Sequence, residues 1–175
     1  ETLVGEVGSG YVFISGAQGI GKSTFCRTYK PQAEGLTYFA NYSFTSDDDQ
    51  TNAMHLAQPE VFYDWLNSQV SFHLTGKAAR VSSKSYREII EETIALLEVL
   101  GRHFHSNRQT AVIFIDGLDE VASLSDEILK QFVGVLPARL PEGLVFALVA
   151  PSYEKLEHAL SSRVTTSSCI NMPEL

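Results

Sequence analysis

An α/β fold, built on a parallel sheet with helices over both faces, is the architecture this sequence predicts. Two observations carry the prediction. Short apolar runs, Val12–Ile14, Val112–Ile115 and Leu144–Ala150, alternate with helix-compatible segments. Strands that are apolar without a break, rather than on alternate positions, are strands buried on both faces. With 175 residues, 44% of them hydrophobic, the chain has material for one domain and one sizeable core.

The elements follow in order. Tyr11–Ser15 is the first strand, running into a glycine-rich stretch from Gly16 to Gly21. A helix from Lys22 to about Tyr29 comes next and is stopped by Pro31. After Gly35 the aromatic-rich Leu36–Phe44 reads as a second strand, and Ser46–Asp49 as a solvated loop. Pro59 suits the first turn of a helix, and Val61–Leu74 sets Val61, Phe62, Trp65, Leu66 and Val70 on one face. Gly76–Ser85 is a polar connector. Tyr86–Phe104 is the most regular amphipathic helix, with Ile89, Ile90, Ile94, Leu97, Leu100 and Phe104 at 3/4 spacing. Ala111–Ile115 is a strand. Ser125–Leu140 reads as a helix capped by Ser125 and interrupted by Pro137. Leu144–Val149 (strand), Tyr153–Leu160 (helix) and Thr165–Met172 (strand) complete the pattern.

Composition narrows the function classes. Thirteen Lys plus Arg against 21 Asp plus Glu give a net charge of −8, and the cations form no basic stripe. Such a chain repels nucleic acid and anionic lipid, so neither is an indicated partner. No apolar run approaches the ~20 residues of a membrane span, and the N-terminus has no basic leader. Cys26 and Cys169 are isolated from each other and lack zinc-ligand spacing, so they read as two buried thiols in a reducing, cytoplasmic setting. The opening at Glu1 suggests a piece excised from a longer protein.

One segment carries specific chemistry. Gly16-Ala17-Gln18-Gly19-Ile20-Gly21-Lys22-Ser23 matches G-x-x-x-x-G-K-[ST] at every fixed position, with Thr24 following. By average residue usage such a match arises by chance about three times in 100,000 windows. It also follows a strand and opens a helix, as a phosphate-binding loop must. Gly16 and Gly21 let the backbone turn so that N–H groups point inward at phosphate oxygens, and the helix start adds its positive dipole end. Lys22 would reach the β- and γ-phosphates, and the Ser23 hydroxyl would ligate Mg²⁺.

The second segment is Val112-Ile-Phe-Ile-Asp116-Gly-Leu-Asp119-Glu120. A buried strand ending in Asp holds a carboxylate rigidly at the sheet edge beside the phosphate loop. Asp116 is therefore the candidate Mg²⁺ residue, through water. Asp119 and Glu120, beyond a Gly117 turn, are placed to orient and deprotonate an attacking water.

The pair GAQGIGKST and VIFIDGLDE resembles the P-loop NTPases of the additional-strand group, and its D-G-L-D-E ending is similar to the NACHT branch of the STAND signalling ATPases. The resemblance covers the chain from about Tyr11 to Leu175. It implies a three-layer P-loop NTPase core with strand order 5-1-4-3-2, Leu144–Val149 being the additional strand. It also implies ATP and Mg²⁺ as ligands, slow hydrolysis, and homo-oligomeric assembly controlled by the nucleotide, with flanking sensor and effector domains in a signalling or defence protein. An AAA+ clamp-loader-like ATPase subunit acting on protein or nucleic acid is the alternative. NACHT proteins follow the fourth strand with T-S-R-P; Ala150-Pro151-Ser152-Tyr153 stands there, so the γ-phosphate-sensing arginine is missing and Ser152 is left for a polar contact. Clamp-loader-like proteins have an asparagine near this point, where this chain has Pro151. They also carry an S-R-C triplet that Ser162-Arg163-Val164 matches in part, which makes Arg163 a candidate for reaching into a neighbour's site. In both families a helical lid and a winged helix follow the core, and the resemblance implies that the next domain would begin after Pro173-Glu-Leu175.

Other signals are weaker. A GTPase would show N-K-x-D, and a small-molecule kinase would need more arginines than the chain holds. His103 and His105 read as surface histidines, Asp47–Asp49 as a solubilising loop, and Trp65, Phe62 and Phe72 as core or helix interface. Cys26, one turn beyond Lys22, reads as a packed thiol, and no G-x-S-x-G elbow supports a serine triad.

Overall fold

The computed structural model describes residues 8–30, 34–44, 50–77, 84–154, 156–161 and 169–172. Five strands form one parallel sheet: β1 (Gly10–Ser15), β2 (Leu36–Ser43), β3 (Thr110–Asp116), β4 (Leu144–Val149) and β5 (Cys169–Asn171). Their spatial order is β2-β3-β4-β1-β5, the order 5-1-4-3-2 read from the other edge. Every neighbouring pair is parallel, with Ile14 opposite Val149 and Asp116 opposite Val149, so the ends of β1, β3 and β4 share one edge.

Side-chain alternation sorts the apolar strands onto two faces. Tyr11, Phe13, Ile113, Ile115, Leu144, Phe146 and Leu148 pack on one side with residues of five helices. Four of these are α3 (Pro59–Thr75), α4 (Tyr86–Ser106), α5 (Leu118–Leu124) and α6 (Asp126–Val135), and α7 is Glu157–Leu160. Val12, Ile14, Val112, Phe114, Val145, Ala147 and Val149 face the other way, onto Cys26, Phe25 and Tyr29 of α1 (Lys22–Thr28) and its end. The helices α3 and α4 run side by side in the same direction: Tyr63 meets Tyr86, Asn67 donates to Thr93 at 3.0 Å, and His73 meets His103. Ser85 and Glu88 close a reciprocal capping box at the start of α4.

Several expectations need correction. A short helix, α2 (Gln50–Leu56), stands where no helix was expected, because its few apolar residues give too little periodicity to read. The helix expected over Ser125–Leu140 ends at Val135, since a residue before Pro137 is pushed out of the helical region. Leu136 is indeed extended, with ψ 145°. The helix expected from Tyr153 begins only at Glu157. Of the last strand, residues 169–171 are described as strand, and 165–168 lie outside the described residues, as do Asp47–Asp49 and Arg163. Cys169 is half-buried rather than buried. Phe72 and Ile94, both expected inside, are 62% and 43% exposed.

The floor beneath α4 admits no side chain at one point. Gly143 has φ +86°, and an added Cβ would lie 2.6 Å from the Gly101 carbonyl oxygen and 2.8 Å from the His105 nitrogen. A left-handed backbone costs an ordinary residue about 1–2 kcal/mol before any overlap is counted. Gly143→Ala is therefore expected to lower thermal stability by roughly 5 °C or more, read from a melting curve.

Candidate functional site

The chain between β1 and α1 makes a tight turn whose left-handed positions are Gly19 and Gly21, with φ +82° and +92°. Gly16 does a different job from the one expected of it: a Cβ there would lie 3.1 Å from the Met172 side chain and 3.3 Å from that of Ile20. Its absence lets the loop lie against the end of β5. The Gly16 amide donates to the Pro151 carbonyl at 3.4 Å, tying the loop to the end of β4. Gly21 caps α1 without any side-chain bond, so the first amides of that helix keep no side-chain partner. Lys22 folds its ammonium over the loop and donates to the carbonyls of Gly16 (2.8 Å) and Ala17 (2.9 Å). The loop is thus a ring of backbone dipoles with one fixed cation above it.

Asp116 stands opposite. It continues the Val112, Phe114 row of β3, which is why its carboxylate lies on the α1 side of the sheet and meets Ser23. It is 2% exposed. Burial pushes its carboxyl above the usual aspartate range; a hydrogen bond from Ser23 opposes this, Asp119 adds to it, and Arg27 and Lys22 oppose it further. Its Oδ2 is buried with no hydrogen-bond partner. A carboxylate oxygen left unpaired in a buried position, beside a serine hydroxyl, is a donor set that suits a hard divalent cation. The residues present therefore fit Mg²⁺.

Gly117, at φ +85°, caps α5 and turns the chain directly into a helix. Asp119 and Glu120 sit in its first turn, not in a loop, so both point from a fixed backbone. Asp119 is half-buried and Glu120 exposed.

A cavity of about 240 Å³ lies between these parts, bounded by Gln18, Gly19, Gly21–Thr24, Asp116–Gly117, Asp119, Glu120 and Pro151. Gly16, Ala17 and Ile20 stand behind it in the loop. Among the described residues lining it, Lys22 is the one cation, facing three carboxylates. A second cavity of about 350 Å³ adjoins it, lined by Ala122, Ser123, Ser152 and Leu156 and sharing Gln18, Asp119 and Pro151 with the first. Ser152, expected to touch the phosphates, borders this second space and does not line the first.

The remaining candidates stay apart. His103 is exposed and meets His73 and Phe104 edge to face, while His105 lies 3.4 Å from Glu142. No group of three or more metal-ligating side chains occurs among the described residues. Cys26 is fully buried, and burial raises its thiol far above the reactive range. Among the described residues no helix is long and apolar enough to cross a membrane. Two contributors went unread in the sequence. Arg27 acts on Asp116 from one turn beyond Ser23, a spacing of four that was available as a signal. Gln18, read only as part of the loop backbone, lines both cavities.

Against known proteins, a family model described as "AAA ATPase domain" matches residues 2–146. No curated protein sequence matches. Among solved structures, ORC1 of Aeropyrum pernix in complex with DNA is similar at 16% identity and a TM-score of 0.52, over 94% of this chain and 39% of that one. Cdc6p of Pyrobaculum aerophilum follows at 14% identity and TM-score 0.44, over 92% and 38%. ORC2 of Aeropyrum pernix follows at 13% and 0.41, over 98% and 46%. The chain thus spans less than half the length of each.

Proposed function

Since the chain belongs to the AAA ATPase domain family, we propose that it binds ATP with Mg²⁺ in the cavity between Gly16–Thr24 and Asp116, and hydrolyses it slowly. The observation that carries this reading is the pairing of the glycine-lysine loop with a buried, half-satisfied Asp116. In this reading the loop amides and Lys22 hold the β- and γ-phosphates, and Ser23 with Asp116 holds the metal. Bound there, Mg²⁺ would neutralise charge developing on the phosphates. Asp119 and Glu120, on a rigid helix start, orient the attacking water and accept its proton.

Slow turnover is supported by the end of β4. Pro151 borders the phosphate cavity and brings neither an N–H nor a polar side chain. Among the described residues lining the cavity, charge spreading over a transferred phosphoryl group would meet one lysine, Lys22. We therefore assign the missing cation to Arg163 of a second copy, in a homo-oligomer. The isolated chain should then hydrolyse ATP faster per molecule as its concentration rises. Arg163→Ala should remove that rise, on the order of 10³-fold for a full arginine finger. Specific activity that stays flat with concentration, and equal in the variant, would contradict the assignment.

The family match favours an AAA+ ATPase, clamp-loader-like, over a NACHT-type signalling or defence switch, although the latter was the first expectation. One observation keeps the switch as a second reading: Gly117-Leu118-Asp119-Glu120 brings both acids into the first turn of α5. The expectation against nucleic acid rests on net charge, and the DNA complex of Aeropyrum pernix ORC1, a protein of similar fold, gives it no support. A single core spanning the whole chain, flanking sensor and effector domains, and a cytoplasmic setting belong to the same proposal.

A further inference from the structure

The geometry points to the Gln18 side chain as the group that distinguishes ATP from ADP at this site, a reading that rests on the nucleotide binding proposed above. The phosphate cavity and its neighbour meet at three residues, Gln18, Asp119 and Pro151. Their chemistry is unequal. Pro151 has no N–H, and its ring is apolar. Asp119, when ionised, accepts hydrogen bonds and donates none, so toward a phosphate it is repulsive. Gln18 alone of the three has side-chain N–H groups to offer, and its carboxamide oxygen accepts at the same time.

Asp119, one of the two α5 acids that line the phosphate space, also lines the second cavity, so the two spaces meet beside the proposed water-orienting acids. The terminal phosphate of a triphosphate is the one that reaches those acids. ADP ends before them. The carboxamide of Gln18 can therefore donate to a γ-phosphate oxygen while accepting from water entering through the second cavity. This is the polar contact that Ser152 was expected to supply, and Ser152 does not line the phosphate cavity. The loop's backbone amides hold the phosphates that ATP and ADP share, so a change in the Gln18 side chain should alter the preference between the two. Gln18 is thus a positioning and specificity residue, separate from the general cradle.

The test is calorimetric titration of the parent chain, Gln18→Ala and Gln18→Glu with a non-hydrolysable ATP analogue and with ADP, both with Mg²⁺. Loss of a hydrogen bond to a charged group corresponds to about tenfold or more in affinity. The preference for the analogue over ADP should fall by about tenfold in Gln18→Ala. It should fall further in Gln18→Glu, where a second carboxylate would face the γ-phosphate beside Asp119. A ratio unchanged in both variants, whether the two affinities hold or drop together, would overturn the inference and leave nucleotide binding intact. A parent chain that binds neither nucleotide would overturn the binding reading itself, and this one with it.

Discussion

Glu120→Gln is expected to lower ATP turnover by about 10²–10⁴-fold, the range that follows from removing a general base, while ATP still binds. The substitution keeps shape and removes charge. Glu120 lines the phosphate cavity from the first turn of α5, and its exposure leaves it in contact with the water it would activate. Asp119→Asn should act in the same direction more weakly, since Asp119 is half-buried at the junction of the two cavities and suits orientation better than proton transfer. Single-turnover rates at saturating ATP separate the two effects. If Glu120→Gln abolishes binding and Asp116→Asn does not, the roles of the carboxylates are reversed.

Lys22→Ala is expected to weaken ATP binding on the order of 10²-fold, from the loss of two charge-assisted hydrogen bonds at about tenfold each. The structure adds a second cause. The ammonium bridges the carbonyls of Gly16 and Ala17, so without it both lose this charged donor and Ala17 keeps the Ile20 amide at 3.3 Å. Lys22→Arg should recover little, because a planar fork does not reproduce a point donor seated between two carbonyls. A melting temperature close to that of the parent would show that the loss lies in the site. Equal dissociation constants for parent and Lys22→Ala would remove the loop from the site.

The sheet was legible in the sequence because its strands are apolar without interruption. Val12–Ile14, Val112–Ile115 and Leu144–Val149 are unbroken apolar runs buried on both faces, and each is too short for a helix. The strand order was reached through the resemblance carried by two motifs. Periodicity gave α3 and α4, but it did not give α2 or α5. Seven residues are too few to establish a period, and Gly117 reads as a turn although its left-handed backbone is what starts α5. Phe72 and Ile94 show a further limit: spacing identifies a helix face but not what covers it.

At the site, the loop and Asp116 were readable because their residue types are dictated by chemistry at fixed spacing. Long-range packing was not. That Gly16 is required by Met172 depends on a contact across 156 residues of chain. The unpaired Oδ2 of Asp116 depends on the sheet alternation that turns it toward Ser23. That Gln18 lines two spaces depends on where Pro151, at the end of β4, lies, and no local spacing records that.

The most direct measurement is a calorimetric titration of the parent chain with ATP, once with Mg²⁺ and once with a chelator. The account predicts one ATP per chain with Mg²⁺ present, and weaker binding once the metal is withdrawn from Ser23 and Asp116. A folded chain that takes up no ATP at millimolar concentration, or that binds it with the same affinity with and without Mg²⁺, would contradict it.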